Sequence, residues 1–167
     1  MKGTGSLPLI LDEIHKRFNL VLKDLSLKDL SFKSEKNSPA IGWIVGHITG
    51  GQHVYLNKLL QNQEASHLQE YEHFGTGTSS NFSNNPPIGQ IQNLFEKELQ
   101  KMKETIQNLS IEQLNSPIPH QNELPSFFRD KPLNELLANN MAHVLMHLGQ
   151  ALEIRRMLNK NIEKINY

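Results

Sequence analysis

Apolar residues recur every three or four positions over four separate stretches of this chain, a spacing that gathers them on one face of a helix. The first stretch, Ser6 to Leu25, carries Leu7, Ile10, Leu11, Ile14, Phe18, Val21, Leu22 and Leu25 on one side, with Pro8 just inside a serine start. The second begins at Ser38-Pro39 and reads AIGWIVGHITGGQHVYLNKLL, with Ile41, Ile44, Val45, Ile48, Tyr55, Leu56 and Leu59 as its stripe. The third, Pro87 to Asn108, aligns Ile88, Ile91, Leu94, Phe95, Leu99, Met102 and Ile106. The fourth starts after Asp130-Lys131-Pro132 and runs to Leu158, a length of about 40 Å at 1.5 Å per residue. No alternating strand pattern of comparable strength competes with these, so the chain reads as an all-α four-helix bundle.

The links between the stretches are unequal. Residues 61 to 86 are polar and rich in Gly, Ser and Asn, far longer than an antiparallel helix pair requires, so this link could cross the bundle and let the second and third helices run parallel. Ser110 to Lys131, with Pro117, Pro119 and Pro125, is a second long loop, and both are candidates for the walls of a binding site. Gly46, Gly50 and Gly51 stand inside the second helix, each at a cost of about 1 kcal/mol against alanine, so something there must need small residues. The run EKELQKMKE in the third helix reads as a solvated face. Arg155-Arg156, near the end of the fourth, are explained by the helix dipole and solvent.

Composition removes several classes of function. The length, 167 residues, suits one domain over 1–167 that buries about two thirds of its unfolded surface. Seventeen Lys+Arg against 17 Asp+Glu leave no net charge, so the electrostatic footprint of a nucleic-acid binder is missing. There is no cysteine, which excludes thiolate nucleophiles and Cys-bearing zinc sites; any metal must use His, Asp or Glu. Asp12 and Glu13 break the apolar piece near the N-terminus, and no apolar run approaches the ~18–20 residues that span a bilayer. A cytoplasmic protein without a membrane partner is expected.

Within the fourth stretch, Asn140, His143, His147 and Gln150 follow at steps of three, four and three and so share one ridge at the border of the apolar stripe. Two histidines four apart on a helix can hold one divalent ion, as in the HExxH arrangement, yet ordinary interfacial histidines have the same spacing. His47, within GWIVGHITGG, flanks the stripe of the second helix. The bare Cα of Gly51, one turn on, would leave a hollow beside its imidazole. Three histidines from two neighbouring helices, with one position open, would make a catalytic rather than a structural metal site. Asn140 and Gln150 either orient a ligand or hydrogen-bond an imidazole, or are simply solvated; Trp43 either lines a pocket or fills space between helices. His15, His53, His67, His73 and His120 read as surface or loop residues, with His53 on a different face from His47.

The blocks SPAIGWIVGHITGGQHVYLNKLL and NMAHVLMHLGQALEIRRML, in that order, resemble the DinB/YfiT-like superfamily of metal-binding four-helix bundles, whose members carry a GWxxGH block on helix two and an HxxxHxGQ block on helix four. The resemblance covers nearly the whole chain. It implies up-down-down-up connectivity and a divalent metal, commonly zinc or nickel, held by His47, His143 and His147. It also implies a small-molecule substrate and, frequently, a homodimer. Many members are similar to thiol S-transferases that use low-molecular-weight thiols such as bacillithiol or mycothiol, and others are labelled metal-dependent hydrolases. Val144 follows His143, so the glutamate base of HExxH proteases is absent. A metal deprotonates a coordinated thiol without such a base. Transfer of a low-molecular-weight thiol to a small electrophile is therefore the leading expectation, with hydrolysis of a small substrate or a non-catalytic metal- or ligand-binding bundle as alternatives.

Overall fold

A computed structural model of the chain describes residues 5–63, 68–118 and 126–160. Four long helices form where the apolar period lies, and their stripes meet in one core. Helix α1 (Leu7–Leu22) buries Leu11, Ile14, Phe18 and Val21. It ends short of the expected Leu25, for Asp24 turns the backbone left-handed at φ 57°. Ser26 and Asp29 then open a separate turn, α2 (Leu27–Leu30), with a reciprocal capping box. Helix α3 (Ile41–Val54) continues into a wider π turn over Tyr55–Leu60. There the Asn57 side-chain amide donates to the His53 carbonyl at 2.7 Å, and the Gln61 N–H reaches back five residues to Leu56. Helix α4 is Ile88–Gln107, the short α5 is Ile111–Asn115, and α6 is Leu133–Met157.

Helices α1 and α3 each pack against both α4 and α6. Cross-links give two of the directions. Asp12 with Lys103, His15 with Glu96 and Asn19 with Gln92 run oppositely along α1 and α4. Gln52 with Asn140, and His47 with His143 and His147, do the same for α3 and α6. The rings of Phe18 and Phe95 stack in the interior, with centroids 3.7 Å apart. Among the described residues there is no strand, only an isolated bridge between Pro117 and Pro132. None of their helices is long and apolar enough to cross a membrane.

Arg155 corrects its sequence reading. It is 2% exposed, and its guanidinium donates to the carbonyls of Val21 and Lys23, satisfying backbone acceptors that the end of α1 leaves open. Arg156 does face solvent, paired with Glu153.

The long link explains the glycines of α3. Its 3-10 turn, Gln69–Phe74, packs on that helix, and Gly42, Gly46 and Gly50, four apart, form the ridge that receives it. A Cβ on Gly42 would stand 2.3 Å from the Phe82 ring, and one on Gly46 would stand 2.6 Å from the Phe74 ring. At Gly50 the nearest atoms are those of Tyr71, 3.6 Å away. Burying a large side chain such as Phe74 contributes about 1.5–3 kcal/mol, which outweighs the ~1 kcal/mol of helix propensity that a glycine gives up. Gly51 lies off this ridge, with nothing within 4 Å of the position its Cβ would take.

Candidate metal centre and its cleft

His47 projects from α3, and His143 and His147 from successive turns of α6. One ring nitrogen from each lies within 4.8 Å of the other two. The Nε2 atoms of His143 and His147 are 3.1 Å apart, and the His47 ring meets their rings edge-on at centroid distances of 5.4 and 5.0 Å.

Two of the imidazoles are fixed from behind. His47 Nδ1 donates to the Phe74 carbonyl at 2.7 Å, which puts its proton on Nδ1 and leaves the Nε2 lone pair toward the other two histidines. His147 Nδ1 faces Gln150 Oε1 at 2.9 Å, fixing the same tautomer. Trp43 stacks on His47 with ring centroids 4.9 Å apart and planes 7° from parallel. Its own Nε1 is tied to the His73 carbonyl and Thr78 Oγ1. The turn that fits the glycine ridge therefore also aims His47. Withdrawal from water, and then the neighbouring His147 and His47, push the His143 pKa down to about 4. Burial also lowers that of His147, against the opposite pull of its bond to Gln150. Both rings are neutral near pH 7, the form in which imidazole binds a metal.

This donor set fits a divalent ion. Three imidazoles from two helices supply the nitrogen ligands zinc and nickel accept, and leave a position open. Tetrahedral bonds of about 2.0–2.1 Å would space the nitrogens ~3.3 Å apart. The His143–His147 pair, at 3.1 Å, already meets that spacing, and a ring nitrogen of His47 lies within 4.8 Å of both.

Of the other expected residues, Gln150 and Trp43 touch the triad, as just described. Asn140 is 3% exposed and donates to Gln52 Oε1 at 3.1 Å inside the α3–α6 contact, rather than to an imidazole. The hollow expected at Gly51 is present. A cleft of about 530 Å³ opens between α3 and the link, lined among others by His47, Gly51, His53, Leu68, Tyr71 and Phe74.

Two residues of this region overturn their sequence readings. His53 is a wall of the cleft and only 8% exposed, not a surface residue, and Glu98 is 2% exposed, not part of a solvated face. His53 Nδ1 and Glu98 Oε1 lie 3.4 Å apart. Periodicity held the signal: Glu98 falls in the series Ile91, Phe95, Met102, at a position whose neighbours three and four away are buried. Thr49, Gln52 and His53 likewise carry the buried face of α3 onward after Ile48. Of the remaining histidines, His15 sits half-exposed on α1, bonded to Asn19, and His73 lies in the link; His67 and His120 fall outside the described residues.

Residues 10–151 match the family model of the DinB superfamily. No curated protein matches the chain at a significant level.

Proposed function

The chain belongs to the DinB superfamily, and from that membership and the three convergent imidazoles we propose that it is a divalent-metal enzyme that transfers a low-molecular-weight thiol to a small electrophile. The supporting observation is the triad itself: His47, His143 and His147 with convergent ring nitrogens, the rings of His143 and His147 held below the usual histidine pKa, and with His47 also lining a cleft. Zinc or nickel is the ion that suits three imidazoles, and when bound it supplies a lowered pKa for a coordinated thiol. The chain's own residues hold and aim. The Phe74 carbonyl and Gln150 set the tautomers, and Trp43 fixes the plane of His47. The cleft, at about 530 Å³, has the size of a small-molecule site. Val144, 1% exposed, fills the place of a protease's glutamate, so nothing between the two α6 histidines would activate water.

Metal content and affinity test the reading. Wild type should hold one zinc or nickel per chain. His47→Ala should weaken affinity by more than about 100-fold, and Gln150→Ala, which removes only the acceptor behind His147, by about 10–100-fold. A purified wild type that takes up neither ion, and gains no thermal stability from either, would sink the proposal. Affinity should also respond to acid in a defined way. An ordinary histidine competes with metal as pH falls through about 6.5. With its pKa pushed down to about 4, His143 stays unprotonated well below that, so it contributes to binding down to about pH 4 and is lost only beneath it. Calorimetric titrations at pH 7 and pH 5 would check this.

A further inference from the structure

The direction of a backbone carbonyl is set by the dihedrals on either side of its peptide plane, so the Phe74 carbonyl behind His47 is only as steady as the residues that flank it. Those residues belong to the stretch FGTGTS, 74–79. Gly77 takes φ 84°, a left-handed turn that glycine makes without strain, and the chain doubles back so that Thr78 meets residues 73 and 75. Thr78 Oγ1 lies 2.7 Å from the carbonyl oxygens of both His73 and Gly75, and its N–H donates to the Gly75 carbonyl at 3.1 Å. The single hydroxyl proton serves these acceptors, while a lone pair on the same oxygen receives Trp43 Nε1 at 3.3 Å. The indole N–H also reaches the His73 carbonyl at 3.2 Å. Both supports of His47, the Phe74 carbonyl at its Nδ1 and the Trp43 ring on its face, therefore converge on one side chain. Thr78 is exposed, so water can replace it as a partner of each carbonyl. What water does not replace is a fixed link between the turn and the indole.

Resting on the three-histidine metal reading above, we infer that Thr78 is a positioning residue of the metal centre: its hydroxyl ties the Trp43 indole to the carbonyls that flank Phe74, and so fixes both the tautomer and the plane of His47. It acts only through His47. A serine in its place keeps the link, because it keeps the hydroxyl. A valine has the same shape and breaks it.

Zinc affinity of the full-length protein separates this role from mere closure of a loop. Thr78→Val should weaken affinity about 10-fold, at the lower end of what losing a support behind a ligand costs, while the thermal midpoint of the metal-free protein stays within about 5 °C of wild type. Thr78→Ser should hold zinc within about twofold of wild type. In a His47→Ala background, Thr78→Val should change affinity by less than about twofold, since its effect runs through the missing ring. Unchanged affinity in Thr78→Val, an equal loss with and without His47, or a loss in Thr78→Ser as large as in Thr78→Val overturns the inference. The ring 15N resonances of His47, recorded on metal-free protein at pH 8, give a readout independent of zinc. Wild type and Thr78→Ser should carry the proton on Nδ1, and Thr78→Val should show a mixture of the two tautomers; an Nδ1 proton fully retained in Thr78→Val overturns the inference. A wild type that takes up no zinc sinks the metal reading of the site, and the tautomer measurement then decides the role of Thr78 by itself. Should Thr78→Val fail to fold, Thr78→Ala is measured in the same way and read by the same outcomes.

Discussion

Two sides of helix α3 use glycine for opposite ends. At Gly42 and Gly46 the places of the missing side chains are filled by Phe82 and Phe74 from the long link, with Tyr71 in ordinary contact at Gly50, and the helix gains a packed partner. At Gly51, one residue past that ridge, nothing occupies the space, and a cleft opens beside His47. The packed side is what makes the open side useful. Phe74 both plugs the space over Gly46 and turns its carbonyl to His47 Nδ1, so packing energy on one side becomes orientation of a ligand on the other. A rigid support behind a ligand sharpens its aim more than an added contact in front of it would.

The largest test removes the plug. Phe74→Ala deletes a ring that is 1% exposed and should destabilise the protein by about 3–5 kcal/mol, lowering the thermal midpoint by on the order of 10 °C for a chain of this size. If the two sides are coupled as described, zinc affinity should fall as well, about 10-fold, since the turn carrying the carbonyl loosens. A stability loss with unchanged metal affinity would break the link between the sides. Gly46→Val makes the complementary change, driving a side chain into the same ring, and should cost about 1–3 kcal/mol. Gly46→Ala combined with Phe74→Leu should lose less than the two singles together, by at least ~0.5 kcal/mol, because both act on one contact. Denaturant midpoints at constant m would measure each.

Both sides were visible in the sequence to different depths. The four helices stood out because their stripes are long and apolar, and the two histidines of α6 because i, i+4 spacing places them together. His47 could be joined to them once the second helix was set beside the fourth. What the sequence concealed were polar residues inside apolar faces. Arg155 carries a charge that solvent seemed to explain, yet its guanidinium has more donors than a helix end alone would use, and two carbonyls of α1 receive them. Glu98 and His53 look like surface residues one at a time; only a neighbouring helix shows that each is the other's partner. The glycines announced a need for small residues without saying which were filled and which empty, since that depends on a link whose own pattern is too polar to predict where it lies.

The smallest expected effect falls on the open side and has the opposite sign. Gly51→Ala adds one methyl where nothing lies within 4 Å, in a helical residue with no left-handed φ, so it should stabilise the protein by about 0.5–1 kcal/mol through helix propensity alone. The same substitution at Gly46 is predicted to destabilise, which makes the pair of alanine variants a direct reading of the two sides by one side chain. Metal affinity should be unchanged in Gly51→Ala, as the methyl touches none of the three imidazoles. Gly51→Leu extends the test: its longer side chain enters the cleft without meeting the core, so the protein should stay folded and hold metal while losing small-molecule binding. If Gly51→Ala instead destabilised as Gly46→Ala does, the space beside His47 would be a packed surface like the ridge, and the contrast between the two sides of α3 would be lost.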